Sequence, residues 1–100
     1  MEHKFESRDG GLCVKVSGRM THRDHKEFRE ILARINEIRP PRVVFDLAQV
    51  EFLDSSALGM LLIVRDAAVQ QNHTVVLKGA TGQVDKLMKI AKLHKYFEIE

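Results

Sequence analysis

Val43-Val44-Phe45-Asp46-Leu47 is a short, nearly continuous apolar run set between two stretches of helical periodicity. Runs of this kind form the central strands of parallel sheets, and parallel strands need crossover connections, usually helices. Upstream, Phe28, Ile31, Leu32, Ile35 and Ile38 recur at i, i+3, i+4, i+7 and i+10, one apolar stripe of a helix. Its other face carries Arg23, Lys26, Glu27, Arg29, Glu30, Arg34 and Glu37, a solvated surface. Downstream, the pattern predicts a helix from about Ser55 to Gln71, a strand over Thr74 to Lys78 and a further helix on the stripe Val84, Leu87, Met88 and Ala91. Alternating strands and helices specify an α/β domain.

The flanks complete the order. Lys4 to Ser7 predicts a weak first strand, and Arg8-Asp9-Gly10-Gly11 a hairpin turn. Leu12 to Ser17 alternates as a second strand, which Gly18 is expected to end. Thr21 followed by Asp24 has the form of a capping box opening the first helix. That helix must stop near Arg39, because Pro40 disfavours the α conformation in the residue before it. Val50 to Leu53 reads as a separate, briefer apolar piece. Gly79 to Gly82 is a loop, and Tyr96 to Ile99 a short edge strand or extended tail. The expectation is one domain over residues 1–100, with a mixed, mostly parallel sheet of about four to five strands and three to four helices.

Composition excludes several functions. Apolar residues make up 44% and charged residues 30%, which is globular and not disordered. A formal charge of +2, with both signs interleaved, argues against a nucleic-acid partner. No apolar stretch approaches the roughly 20 residues that cross a bilayer, so no membrane insertion is expected. The N-terminus lacks the apolar region of a signal peptide, and the single Cys13 fits a reducing compartment, so a cytoplasmic location follows. Cys13 alternates with strand residues and reads as a buried inert thiol. Phosphate-binding and dinucleotide fingerprints are missing, and Ser56 lacks a nucleophile-elbow setting. His22 and His25, spaced i, i+3, lack a third ligand. Lys86, Lys89, Lys92 and Lys95 drift around the last helix as solvated surface. No enzyme, metal or cofactor is expected.

The informative segment is Asp54-Ser55-Ser56 at the head of the second helix. One such residue is enough for an N-cap, contributing about 1 kcal/mol; three are present. The helix beyond has apolar residues on two sides. Leu58, Leu61, Leu62 and Val69 suit burial against the sheet. Met60, Ile63 and Ala67 form a second face, with Ser56 on that side, while Gly59, Asp66 and Gln70 make a polar strip between. The second face is expected to be an exposed contact patch with a hydroxyl at its rim. A phosphoserine there adds about −1.5 to −2 charges. The helix N-terminus accommodates that charge, whereas an apolar interface beside it does not. Local physics leaves Ser55 and Ser56 equivalent.

Asp54-Ser55-Ser56-Ala57-Leu58-Gly59, preceded by Val43 to Leu47, resembles the signature of STAS domains, the anti-sigma-factor antagonists and their relatives. Gly18-Arg19-Met20-Thr21 and Leu93 to Ile99 are similar to the family's first turn and closing segment. The resemblance implies a small β-α superhelix with an added N-terminal strand. It implies phosphorylation at Ser56 rather than Ser55. Together with the apolar face, it gives Asp54, Ser55, Ser56, Ala57, Gly59, Met60, Ile63 and Thr21 as the residues expected to meet the partner. The implied partners are a serine kinase of GHKL type, acting as an anti-sigma factor, and a PP2C-type phosphatase, with the domain itself monomeric. The unphosphorylated form would bind the kinase, and phosphorylation would release it. Ala57 stands where the family often has Gly, and Thr21 where it often has Asp. The alternative is a non-catalytic subunit of a membrane transport assembly such as a lipid ABC transporter.

Overall fold

The computed structural model describes residues 1–8 and 10–100. β1 (Glu2–Arg8), β2 (Gly11–Met20), β3 (Arg42–Leu53), β4 (Thr74–Lys78) and β5 (Glu98–Ile99) form one sheet in the order β1-β2-β3-β4-β5. β1 pairs antiparallel with β2, and every later pair is parallel. The connections hold α1 (His25–Ile38), α2 (Ser55–Gln70) and α3 (Gly82–Ile90). This is the α/β architecture anticipated, with five strands and three α-helices among the described residues. Sequential parallel order with right-handed crossovers places the helices together on one face. Accordingly Val14, Val16, Val43, Phe45, Leu47, Val75 and Leu77 share one core with Phe28, Ile31, Ile35, Leu61, Val64 and Val84.

The expected hairpin is present as Arg8 opposite Gly11; Asp9 of that turn lies outside the described residues. Two expectations change. Gly18 does not end β2, which runs on to Met20. Its φ of +86° accompanies a shift in the β2–β3 register at Gly18/Arg19, so glycine here makes an irregularity within the strand. Val43 to Leu47 and Val50 to Leu53 are likewise one strand. Lys15 pairs with Asp46 but Ser17 with Gln49, and Gly18 with Val50 but Arg19 with Phe52. Each step leaves β3 one residue ahead. These extra residues change the parity of the inward positions, so Leu47, Val50 and Leu53 are all buried. An Asp46 carboxylate oxygen accepts from the Ala48 N–H at 3.1 Å beside the first shift.

The capping box forms as expected. The Thr21 hydroxyl accepts from Arg23 N–H at 3.3 Å, and the Asp24 carboxylate from Thr21 N–H at 2.8 Å. It opens a 3-10 turn, His22–Asp24, that leads into α1. α1 stops at Ile38, and Arg39 closes it with φ +52°.

Candidate functional site

β3 delivers Asp54 to the head of α2. Gln83, from the first turn of α3, fixes the last strand residue: its amide accepts from Leu53 N–H and donates to Leu53 C=O, both at 2.9 Å. Asp54 N–H then donates to Met20 C=O at 3.1 Å. The strand end that carries the site is therefore held from both sides.

The Asp54 carboxylate joins the two helix starts. One oxygen accepts from Ala57 N–H at 2.8 Å and caps α2. The other accepts from His22 N–H at 3.1 Å, with the His22 ring nitrogen 3.6 Å away. Desolvation pushes this carboxyl up, but the hydrogen bonds from Ala57 and His22 outweigh it and hold Asp54 below the usual carboxylate range. The site is thus a fixed anion at neutral pH. The sequence pattern offers His22 only as half of an incomplete metal pair and does not single out Gln83. Both act across long sequence separations, and neither leaves a local signal.

Because Asp54 supplies the cap, the two serines are spared that task. Ser55 and Ser56 are exposed on the first turn of α2. Their backbone N–H groups are among the four at a helix start that lack an intrahelical acceptor. Helical phase separates the side chains. Ser56 precedes Met60 and Ile63 by one and two turns, on the side of α2 that meets α1; Ser55 is rotated away by about 100°.

The face beyond Ser56 differs from expectation. Met60 is 5% exposed and belongs to the core, with Ala57, Leu61, Val64 and Ala68. Ala57 is fully buried, so its side chain offers a partner nothing. Val69, expected inward, is 50% exposed, while Leu58 and Leu62 are half-buried. The burial stripe of α2 is centred on Ala57, Leu61, Val64 and Ala68. The residue left at the surface is Ile63, 57% exposed. Gly59 faces open space: an added Cβ would meet nothing within 4 Å.

Thr21 lies close by, but its hydroxyl is engaged in the capping box. It shares a depression with Arg19, His22, Arg23, Phe52 and Asp54. The Arg19 guanidinium sits 4.3 Å over the Phe52 ring. Cys13 is buried, and desolvation pushes its thiol up, which suits a packing role. No helix of the described residues is long and apolar enough to cross a membrane.

Residues 3–99 match the family model described as "Mlab, STAS domain". A STAS-domain containing protein of Pseudomonas aeruginosa is 38% identical over 94 residues, covering 93% of this chain and 92% of that one. The crystal structure of an anti-sigma factor antagonist from Mycobacterium paratuberculosis superposes with TM-score 0.87 at 22% identity, covering 98% of this chain and 83% of that one. The anti-sigma factor antagonist SpoIIAA matches in its unphosphorylated form with TM-score 0.77 at 15% identity, over 99% of this chain and 88% of that one. In its phosphorylated form, from Bacillus, the values are 0.74 at 13%, over 99% and 91%. The sheet and helix order of this chain are the fold of these solved structures, and the chain belongs to the STAS domain family.

Proposed function

We propose that the domain is a phosphorylation-switched binding protein of the anti-sigma-factor-antagonist kind. The observation that carries this reading is an exposed Ser56 hydroxyl on the first turn of a helix that Asp54 already caps. Phosphate on Ser56 leaves the cap hydrogen bonds untouched. The helix N-terminus offers it free N–H groups and a favourable dipole, so the fold survives. Asp54, held ionised, adds like-charge repulsion beside it. A partner resting on Ser56 and Ile63 would have to desolvate nearly two new charges, so phosphorylation opposes binding. That one solved protein of this fold is described in both phosphorylated and unphosphorylated forms supports the capacity of the fold to carry the group.

The partners that fit are a GHKL-type serine kinase acting as an anti-sigma factor, bound by the unphosphorylated form, and a PP2C-type phosphatase that restores that form. The domain performs no catalysis and acts in the cytoplasm. Ser56→Ala holds the binding form, and Ser56→Asp weakens capture of the kinase in a pull-down. Indifference to both changes, with steady binding to an ATPase of a transport assembly, would replace this reading with the subunit alternative.

A further inference from the structure

α1 and α2 run side by side and leave a groove of about 400 Å³ between them. Phe28, Leu32, Met60, Ile63 and Val64 line it as an apolar floor and wall, and His25 and Arg29 stand on the α1 rim. Among the described residues, none that lines it is acidic. Among the described residues, His25 and Arg29 are in no ion pair. Helical phase puts Ala33, Lys26 and Glu37 next on the α1 side, and Gly59, Asp66 and Gln70 beyond Ile63 on the α2 side, where Asp66 pairs with Arg65 at 3.2 Å. One turn beyond Leu32 the Gln71 amide donates to the Asn36 side-chain oxygen at 3.2 Å and bridges α1 and the end of α2. The lined stretch of α1, His25 to Leu32, spans about 10 Å, roughly two helical turns. Ser56 stands at its open end.

We propose that this groove receives an acidic amphipathic helix of the partner, whose apolar stripe packs on Phe28, Leu32 and Ile63 and whose carboxylates meet His25 and Arg29. The inference rests on the switch reading and names the chemistry of the partner's docking segment. An apolar trough sets the helix-in-groove mode, and the Arg29 guanidinium, on a lining that holds no carboxylate, selects the sign of its occupant. It also accounts for the direction of the switch. A phosphate at the open end adds nearly two negative charges to that of Asp54 against a negative ligand, so phosphorylation repels a segment that Arg29 attracts.

The test uses a synthetic amphipathic peptide of about 14 residues with Leu at i, i+3, i+4 and i+7 and Glu on its flanks, and a Lys-flanked twin. Binding is read by amide chemical shifts of the whole domain at low salt. The Glu peptide should perturb His25, Arg29 and Ile63 and bind about tenfold or more tighter than its twin; Arg29→Glu should reverse the order. Equal binding of the two peptides, shifts mapping elsewhere, or no binding overturns the proposal. So does concentration-dependent pairing of two copies through this face, or adsorption to anionic vesicles that Arg29→Glu abolishes. Ser56→Asp separates the two levels. If the Glu peptide binds wild type and Ser56→Asp equally, the groove stands and the switch reading falls. If no peptide binds but Ser56→Asp still weakens kinase capture, the switch stands and the groove proposal falls.

Discussion

Met60 and Ile63 are less than one helical turn apart on α2, both apolar, and the structure gives them opposite duties. Met60 is 5% exposed within the core, and Ile63 57% exposed on the groove wall. Truncating a buried Met to Ala costs about 2–5 kcal/mol, the lost transfer energy plus the cavity. Met60 borders an open groove into which its neighbours can relax, and Ala favours helix, so the lower part of that range applies, about 2–3 kcal/mol. Ile63→Ala removes side-chain atoms that are largely in water already, and it gains helix propensity. Its cost is about 0.5 kcal/mol or less. In a domain of this size 1 kcal/mol moves Tm by about 4–8 °C, so Met60→Ala should melt roughly 10–20 °C low and Ile63→Ala within about 4 °C of the parent. A total stability of about 5–15 kcal/mol leaves both folded. Circular-dichroism melts and urea titrations give the numbers, and kinase capture gives the complementary half: Ile63→Ala should lose binding at nearly unchanged stability. Equal destabilisation by the two substitutions would refute the burial assignment of α2 and, with it, the docking face.

Other outcomes follow from single contacts. Gly59→Ala has room for its methyl group and should stabilise α2 by about 1 kcal/mol in urea titration; loss of partner binding in that stabilised variant would mark Gly59 as a point of close approach. Gln83→Ala leaves both backbone groups of buried Leu53 without their partner and should cost about 1–3 kcal/mol, read as a lowered urea midpoint. Asp54 has a folded-state pKa below its unfolded value. The stability it contributes is therefore present above the unfolded pKa and is lost as pH falls through the folded one. Asp54→Asn keeps a capping oxygen but not the charge, so its urea midpoint should fall less steeply than the parent's over that acid range.

Much of the fold was legible because its signals are local. The α1 stripe, the Thr21–Asp24 box and the Thr74–Lys78 strand each follow one period over their own length. β3 was not legible as one strand, because its two register shifts move the inward positions from Val43, Phe45 and Leu47 to Val50 and then Leu53. α2 defeated the wheel for a different reason. It is apolar on several sides, so periodicity cannot choose which side faces the sheet; packing against β4 and α1 decides it, burying Met60 and exposing Val69. At the site, Asp54 and its serines could be read as a helix start, since a cap lies within three residues of what it caps. The bonds from Asp54 to His22 and from Gln83 to Leu53 join residues some thirty positions apart, and only the folded topology brings them together.

The switch stands or falls on which hydroxyl carries phosphate. Fragmentation mass spectrometry of the protein isolated from its own cells, with kinase capture measured on the same two fractions, reads this directly. The expected result is phosphate on Ser56 in the fraction that fails to bind, and unmodified Ser56 in the fraction that binds. Phosphate confined to Ser55, or binding shared equally by the modified and unmodified fractions, would contradict it.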